Sequence, residues 1–288
     1  MKKLSVLLLL IFACFSFCGC TQALPASNEF IMLSLITSAD GQMSQSLNFS
    51  LGTGKLEKAG ASALEIEEVK KELIKNVTTF RDEFYISFML IYNASPNEDF
   101  QIGKALLVSE VKYNKDSDTV QFALTFTSRE AWAYYHPKSK EEGDGVDTDY
   151  GFMITQRSTG TFPFCGEIDT GESKMTVGQR YMNAYLNALS AAPEIKIDYK
   201  PDLVYNYGTP ERSIKSDSEY YFTDDNQIYH HVWMRSSDEY LTKNSIEIYV
   251  SQPNRGVWYA IALSATLVVT GVAIAVVALK SKRARKNP

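Results

Sequence analysis

The sequence predicts an α+β body, mostly antiparallel sheet with two or three packing helices, followed by one C-terminal transmembrane helix. Three observations predict it. Apolar residues alternate at period two in several short runs bounded by turn residues. Two stretches carry apolar stripes at spacings of three and four. Residues 257–279 hold no charged side chain over 23 positions.

Taken in order, Glu29 to Thr37 is nearly continuously apolar and Asp40-Gly41 follows it. Met43, Gln45, Leu47, Phe49 and Leu51 then share one face of an extended chain, so the pair reads as a β-hairpin. Ile66, Val69, Leu73, Val77, Phe80 and Phe84, spaced three and four apart, predict an amphipathic helix from about Ala61 to Phe80, with glutamates and lysines between them. Strands are predicted at Tyr85–Tyr92, Ala105–Tyr113 and Thr119–Phe126, and a short helix begins at Ser128. Residues 138–149 are charged and glycine-bearing, which predicts a surface loop and the boundary of two lobes if two exist. Beyond it come a strand at Tyr150–Thr155 and a second helical stripe of Val177, Tyr181, Tyr185 and Leu189. Strands follow at Glu194–Tyr199, Tyr220–Phe222, Ile228–Met234 and Ile246–Val250. Strands that pair through hairpins, with helices set apart, favour α+β over a doubly wound parallel sheet.

The ends set the expected location. Lys2 and Lys3 precede an apolar run to Phe17, then Gly19, Cys20, Thr21 and Gln22, the layout of a secretory signal peptide over residues 1–20. Phe17-Cys18-Gly19-Cys20 resembles a bacterial lipobox, which implies lipid attachment at Cys20. Cleavage after Ala23 and an uncleaved leader are the alternatives. Residues 257–279, as a helix rising about 1.5 Å per residue, span about 34 Å, enough for a hydrocarbon layer of about 30 Å. Trp258 and Tyr259 stand at one end, where amphipathic rings favour the membrane interface, and Lys280, Lys282 and Arg283 at the other. The basic tail 280–288 is expected in the cytoplasm and residues 21–254 outside it, in a single-pass cell-membrane protein.

The charge narrows the partners. Of 29 basic residues, two lie in the leader and six lie at or beyond Arg255, leaving 21 against all 34 acids, a net charge of −13 on the segment between. Nucleic acid requires the opposite sign. The expected partners are the lipid bilayer and another envelope protein or envelope polymer.

Complete catalytic sets are missing from the sequence. Asp169-Thr170-Gly171 matches the triplet of aspartic proteases, but no second triplet exists to share the proton. Cys165 has three candidate histidine bases, His136, His230 and His231, none in a motif with a mechanism. His230 and His231 are neighbours on a predicted strand, so one should face the core and the other water. The acids of 141–149 do not follow calcium-loop spacing. No metal and no cofactor is expected. The reading is an acidic, extracytoplasmic binding or structural domain without catalysis. Its alternatives are a tethered hydrolase using Asp169 or Cys165, and an accessory subunit of a membrane complex. The Asn-x-Ser/Thr triplets at Asn48, Asn76 and Asn93 are uninformative in a chain this rich in Ser and Thr.

Cys20, the strand-turn-strand around Asp40-Gly41 and the segment Pro253-Asn254-Arg255-Gly256-Val257-Trp258-Tyr259 together resemble bacterial membrane-anchored exported proteins of the LppM-like lipoprotein type. The resemblance is one of layout. It implies an α+β ectodomain in the cell envelope and no catalytic residue.

Overall fold

A computed structural model of the chain describes residues 29–136, 144–149, 153–165, 167–169, 174–193, 200–236, 245–253 and 255–284. The hairpin forms as expected: β1 (Phe30–Thr37) and β2 (Met43–Ser50) pair antiparallel, Leu33 opposite Leu47. Gly41 takes φ +88° in the turn, a left-handed conformation that costs glycine little. Ile31, Leu35, Met43, Leu47 and Phe49 share one face and are buried. The opposite face of β2 carries Ser44, Ser46, Asn48 and Ser50.

A short helix α1 (Thr53–Lys58) is capped from outside, with Asp118 accepting the Thr53 amide at 2.7 Å. Then comes α2 (Ala63–Ala94), opened by a capping box between Ser62 and Glu65. It is longer than the sequence suggested. The strand expected at Tyr85–Tyr92 is the last third of this helix. Phe88 and Ile91 continue the stripe past Phe84 at spacings of four and three, and the first proline after Ser62 is Pro96. A dense apolar run hides its period, so it reads equally as a buried strand.

A 3-10 turn (Glu98–Phe100) leads to β3 (Leu106–Val108) and β4 (Lys112–Asn114), both antiparallel to β5 (Thr119–Phe126). The single strand expected over Ala105–Tyr113 is thus two. Between them the Ser109 hydroxyl takes the amide of Ala123 at 2.8 Å, so a side chain stands in for a ladder carbonyl and the strand is interrupted. The predicted helix at Ser128 is α3 (Arg129–Tyr135), with Ser128 as its N-cap.

The segment expected to be a loop over 138–149 contains β6 (Asp144–Asp149), antiparallel to β7 (Met153–Thr161), while 137–143 lie outside the described residues. Charged side chains do not exclude an edge strand, because one face and one edge of it meet water. β7 runs six residues beyond the predicted end at Thr155. β8 (Glu167–Asp169) and β9 (Lys174–Thr176) form a two-stranded ribbon leading into α4 (Val177–Leu189), which opens with a second capping box, Thr176 and Gln179. The strand expected at Glu194–Tyr199 lies outside the described residues.

The remaining strands are β10 (Asp202–Thr209), β11 (Arg212–Ser216), β12 (Tyr220–Thr223), β13 (Tyr229–Arg235) and β14 (Ser245–Pro253). The helix α5 (Arg255–Ala284) follows. Eight strands form the main sheet, in the order β12-β13-β10-β1-β2-β5-β3 with β4 also on β5. Four more, β11-β14-β7-β6, form a second sheet. Every pairing among the named strands is antiparallel except β1 with β10. The architecture is therefore α+β, as the sequence predicts. The main sheet draws strands from both sides of residues 138–149.

One face of the main sheet is covered by α2 and α4. Phe49 stacks on Phe80 at 6.1 Å, and Tyr181 meets Phe80 edge-on at 4.7 Å. Farther along, Phe84 contacts Phe122 and Phe88 contacts Phe126 and Tyr135. Close packing sets one glycine: a Cβ at Gly178 would lie 2.7 Å from Leu203 Cδ1 and 3.0 Å from the Phe164 carbonyl oxygen. Gly178→Ala is expected to cost about 1–3 kcal/mol in a denaturant titration, because the backbone of residue 164 cannot yield as a side-chain tip can. An unchanged midpoint would show that α4 shifts freely on the sheet.

Candidate functional site

The C-terminal helix is long and apolar enough to cross a membrane over Gly256–Ile274, 19 residues of which none is buried among the described residues. Leu263, Leu267, Val268, Val269 and Ile274 are all more than 60% exposed. Trp258 and Tyr259 lie in the first turns, 52% and 73% exposed. The two threonine hydroxyls inside the span are satisfied within the helix: Thr266 donates to the Ala262 carbonyl and Thr270 to the Thr266 carbonyl, each at 2.8 Å. That removes the cost of carrying them into hydrocarbon. Lys280, Lys282 and Arg283 fall in the last turns of the same helix. Cys20, the expected lipid-attachment residue, lies outside the described residues.

The two residues of the hydrolase alternative are not brought into a described catalytic set. Asp169 ends β8 opposite Lys174, and Thr170 and Gly171 lie outside the described residues. Cys165 sits in a turn, its amide bonded to the Phe162 carbonyl at 2.9 Å. Burial pushes its thiol up despite the pull of Arg235. A raised thiol holds little thiolate at neutral pH, the reverse of what nucleophilic work needs.

The histidines correct one expectation. His230 and His231 do face opposite sides of β13, yet both are buried, at 6% and 1% exposure. The outer face of the sheet is sealed over His230 because Phe222 stacks on it at 4.6 Å, Asn206 bonds its Nδ1 at 3.1 Å and Asp224 lies 3.5 Å from its Nε2. The Asp224 carboxyl stays below its ordinary value: burial opposes this, but the Ile228 amide and His230 outweigh it. On the core side, His231 packs near Tyr221 and Trp233, with Ser218 Oγ 3.3 Å from Nδ1. Its buried Nε2 makes no hydrogen bond among the described residues.

Burial, then the neighbouring His230, pushes the His231 imidazole down to about 4. A depressed histidine favours folding while both states are neutral, above about 6.5, and loses that contribution as pH falls from there toward 4. Between pH 7 and pH 5 the body is expected to lose on the order of 2 kcal/mol through this residue. Urea titrations at the two pH values check it, and His231→Phe should remove most of the difference. His136, also lowered by burial, adds in the same direction. An unchanged pH dependence in the variant would contradict the assignment.

The sequence missed a groove of about 340 Å³ between α2 and α4. Asn76, Thr79, Asn183 and Asn187 line it with Arg180, over Phe80, Met175 and Ala184. Asn183 and Asn187 are one turn apart on α4, and Asn76 and Thr79 one turn apart on α2, so helical spacing brings the four together. Asn76 donates to the Ala184 carbonyl at 3.0 Å and ties the helices. Arg180 pairs with Glu83 and lies 5.2 Å from the Phe80 ring centroid. The available signal was a polar row beside each apolar stripe, which is indistinguishable from a solvated helix face in one dimension. Asn48 and Asn76 both have engaged amides, which agrees with reading their triplets as chance.

The described chain is thus a mixed α+β body joined to one apolar helix of membrane-spanning length. No family model matches the sequence, and no curated protein matches it significantly. Among solved structures it is similar to the folded domain of LppM from Mycobacterium tuberculosis, over 82% of this chain and 98% of that chain. The identity is 8% and the TM-score 0.30. A likeness of that size fixes neither fold detail nor chemistry.

Proposed function

We propose that this is a single-pass cell-envelope protein whose acidic α+β body stands outside the cytoplasm and binds or scaffolds another envelope component without catalysis. One observation supports the reading: among the described residues none of the apolar stretch Gly256–Ile274 is buried, while the body closes a core of its own. In water that helix would expose an apolar surface far larger than soluble monomers tolerate, and a bilayer removes the penalty. The basic residues of 280–288, against one basic residue near the other end of the span, support a cytoplasmic C-terminus. Gly19-Cys20 supports a second, lipid anchor at Cys20. The hydrolase alternative is disfavoured by the raised Cys165 thiol. Alkaline carbonate extraction of membranes tests the anchoring: the protein stays in the pellet and leaves it only in detergent. Recovery in the alkaline supernatant would overturn the proposal.

A further inference from the structure

The groove between α2 and α4 presents two exposed carboxamides one turn apart, Asn183 and Asn187, beside Asn76 and Thr79, which already donate to the Ala184 and Lys75 carbonyls. The only charged side chain among the lining residues is Arg180, already balanced by Glu83. A carboxamide both donates and accepts, which suits adjacent hydroxyls, each of which also does both. Met175 and Ala184 add apolar surface for the C–H face of a sugar ring. Its volume of about 340 Å³ lies within the range of small-ligand pockets. The surrounding segment, at −13, repels polyanions but is indifferent to a neutral ligand. We propose that this groove binds an uncharged saccharide, presented by the envelope or free; this deepens the binding role proposed above and rests on it.

The test is calorimetric titration of the full-length protein in an amine-oxide detergent, which carries no sugar headgroup, with chitotetraose, mannotetraose and cellotetraose, and with tetragalacturonate as the charged comparison. At least one neutral tetramer is expected to bind and tetragalacturonate to bind more weakly than it. Asn183 and Asn187 are exposed on α4, where alanine is a better helix former, so Asn183→Ala/Asn187→Ala keeps the fold. The double variant is expected to weaken the neutral sugar about tenfold, the loss of two ordinary hydrogen bonds. Failure of all three neutral tetramers to bind at millimolar concentration overturns the inference, as does undiminished binding by the variant. Tighter binding of tetragalacturonate also overturns it, since Arg180 would then be reading a carboxylate. Alkaline extraction of the same membranes separates the two levels. A protein that stays membrane-integral yet binds no sugar removes the groove alone, and one released by alkali removes the anchored reading beneath it.

Discussion

Phe49→Ala is expected to destabilise the body by about 3–5 kcal/mol, the range for deleting a fully buried phenylalanine ring. Phe49 is 0% exposed and sits where β2 meets both covering helices. Its ring stacks on Phe80 of α2, meets Tyr181 of α4 edge-on at 6.1 Å, and Tyr181 in turn contacts Phe164. Truncation leaves a void bounded by three elements. The sheet cannot close it, because β2 is held by full ladders to β1 and β5. Nor can α2 and α4 collapse inward independently, because Asn76 and the Arg180 to Glu83 pair bind them to each other. Ile86, on the same helix as Phe80 but 57% exposed, is the control: Ile86→Ala should change stability by less than about 0.5 kcal/mol. Chemical denaturation of both variants checks the pair. A Phe49 variant within about 1 kcal/mol of the parent would mean that the aromatic cluster does not organise the core.

Removing residues 255–288 together with Cys20→Ala is expected to move the protein from the membrane to the soluble fraction. The two anchors are chemically distinct, so each single change should leave part or all of the protein in the pellet. The diacyl group that a lipobox implies at Cys20 holds a membrane by two chains, far more firmly than one chain would, and independently of a spanning helix. Truncation alone therefore reports on the N-terminus: retention in the pellet means a lipid anchor at Cys20 or an uncleaved leader is present, and full release means the leader was cleaved without lipid attachment. Fractionation followed by immunodetection reads both. A double variant that remains in the pellet would show that the leader stays uncleaved or that the body itself holds the membrane.

Much of the fold was readable where one physical signal acted alone. The β1 and β2 hairpin combines alternation with a turn that wants glycine, and α4 combines a stripe with a capping sequence. Residues 85–92 were misread because Tyr85, Ile86, Phe88, Leu90 and Ile91 are apolar on every side, which erases periodicity. The central strand β10 escaped notice for a related reason. Leu203, Val204, Tyr205 and Asn206 are all buried, so both faces are covered and no alternation survives, while Asp202 and Asn206 lower its apparent apolarity. Its parallel partner β1 is about 170 residues away in sequence, a separation no local pattern encodes. The groove was illegible for the same kind of reason. Asn76 and Asn183 are ordinary surface residues until α2 and α4 are laid side by side.

The most direct test is protease treatment of intact cells, with any outer barrier permeabilised, followed by detection of an epitope placed after Pro288. The account predicts that the body is digested while a short fragment holding the epitope and the span survives until detergent is added. Digestion of the epitope with the body left whole would place the C-terminus outside and contradict it.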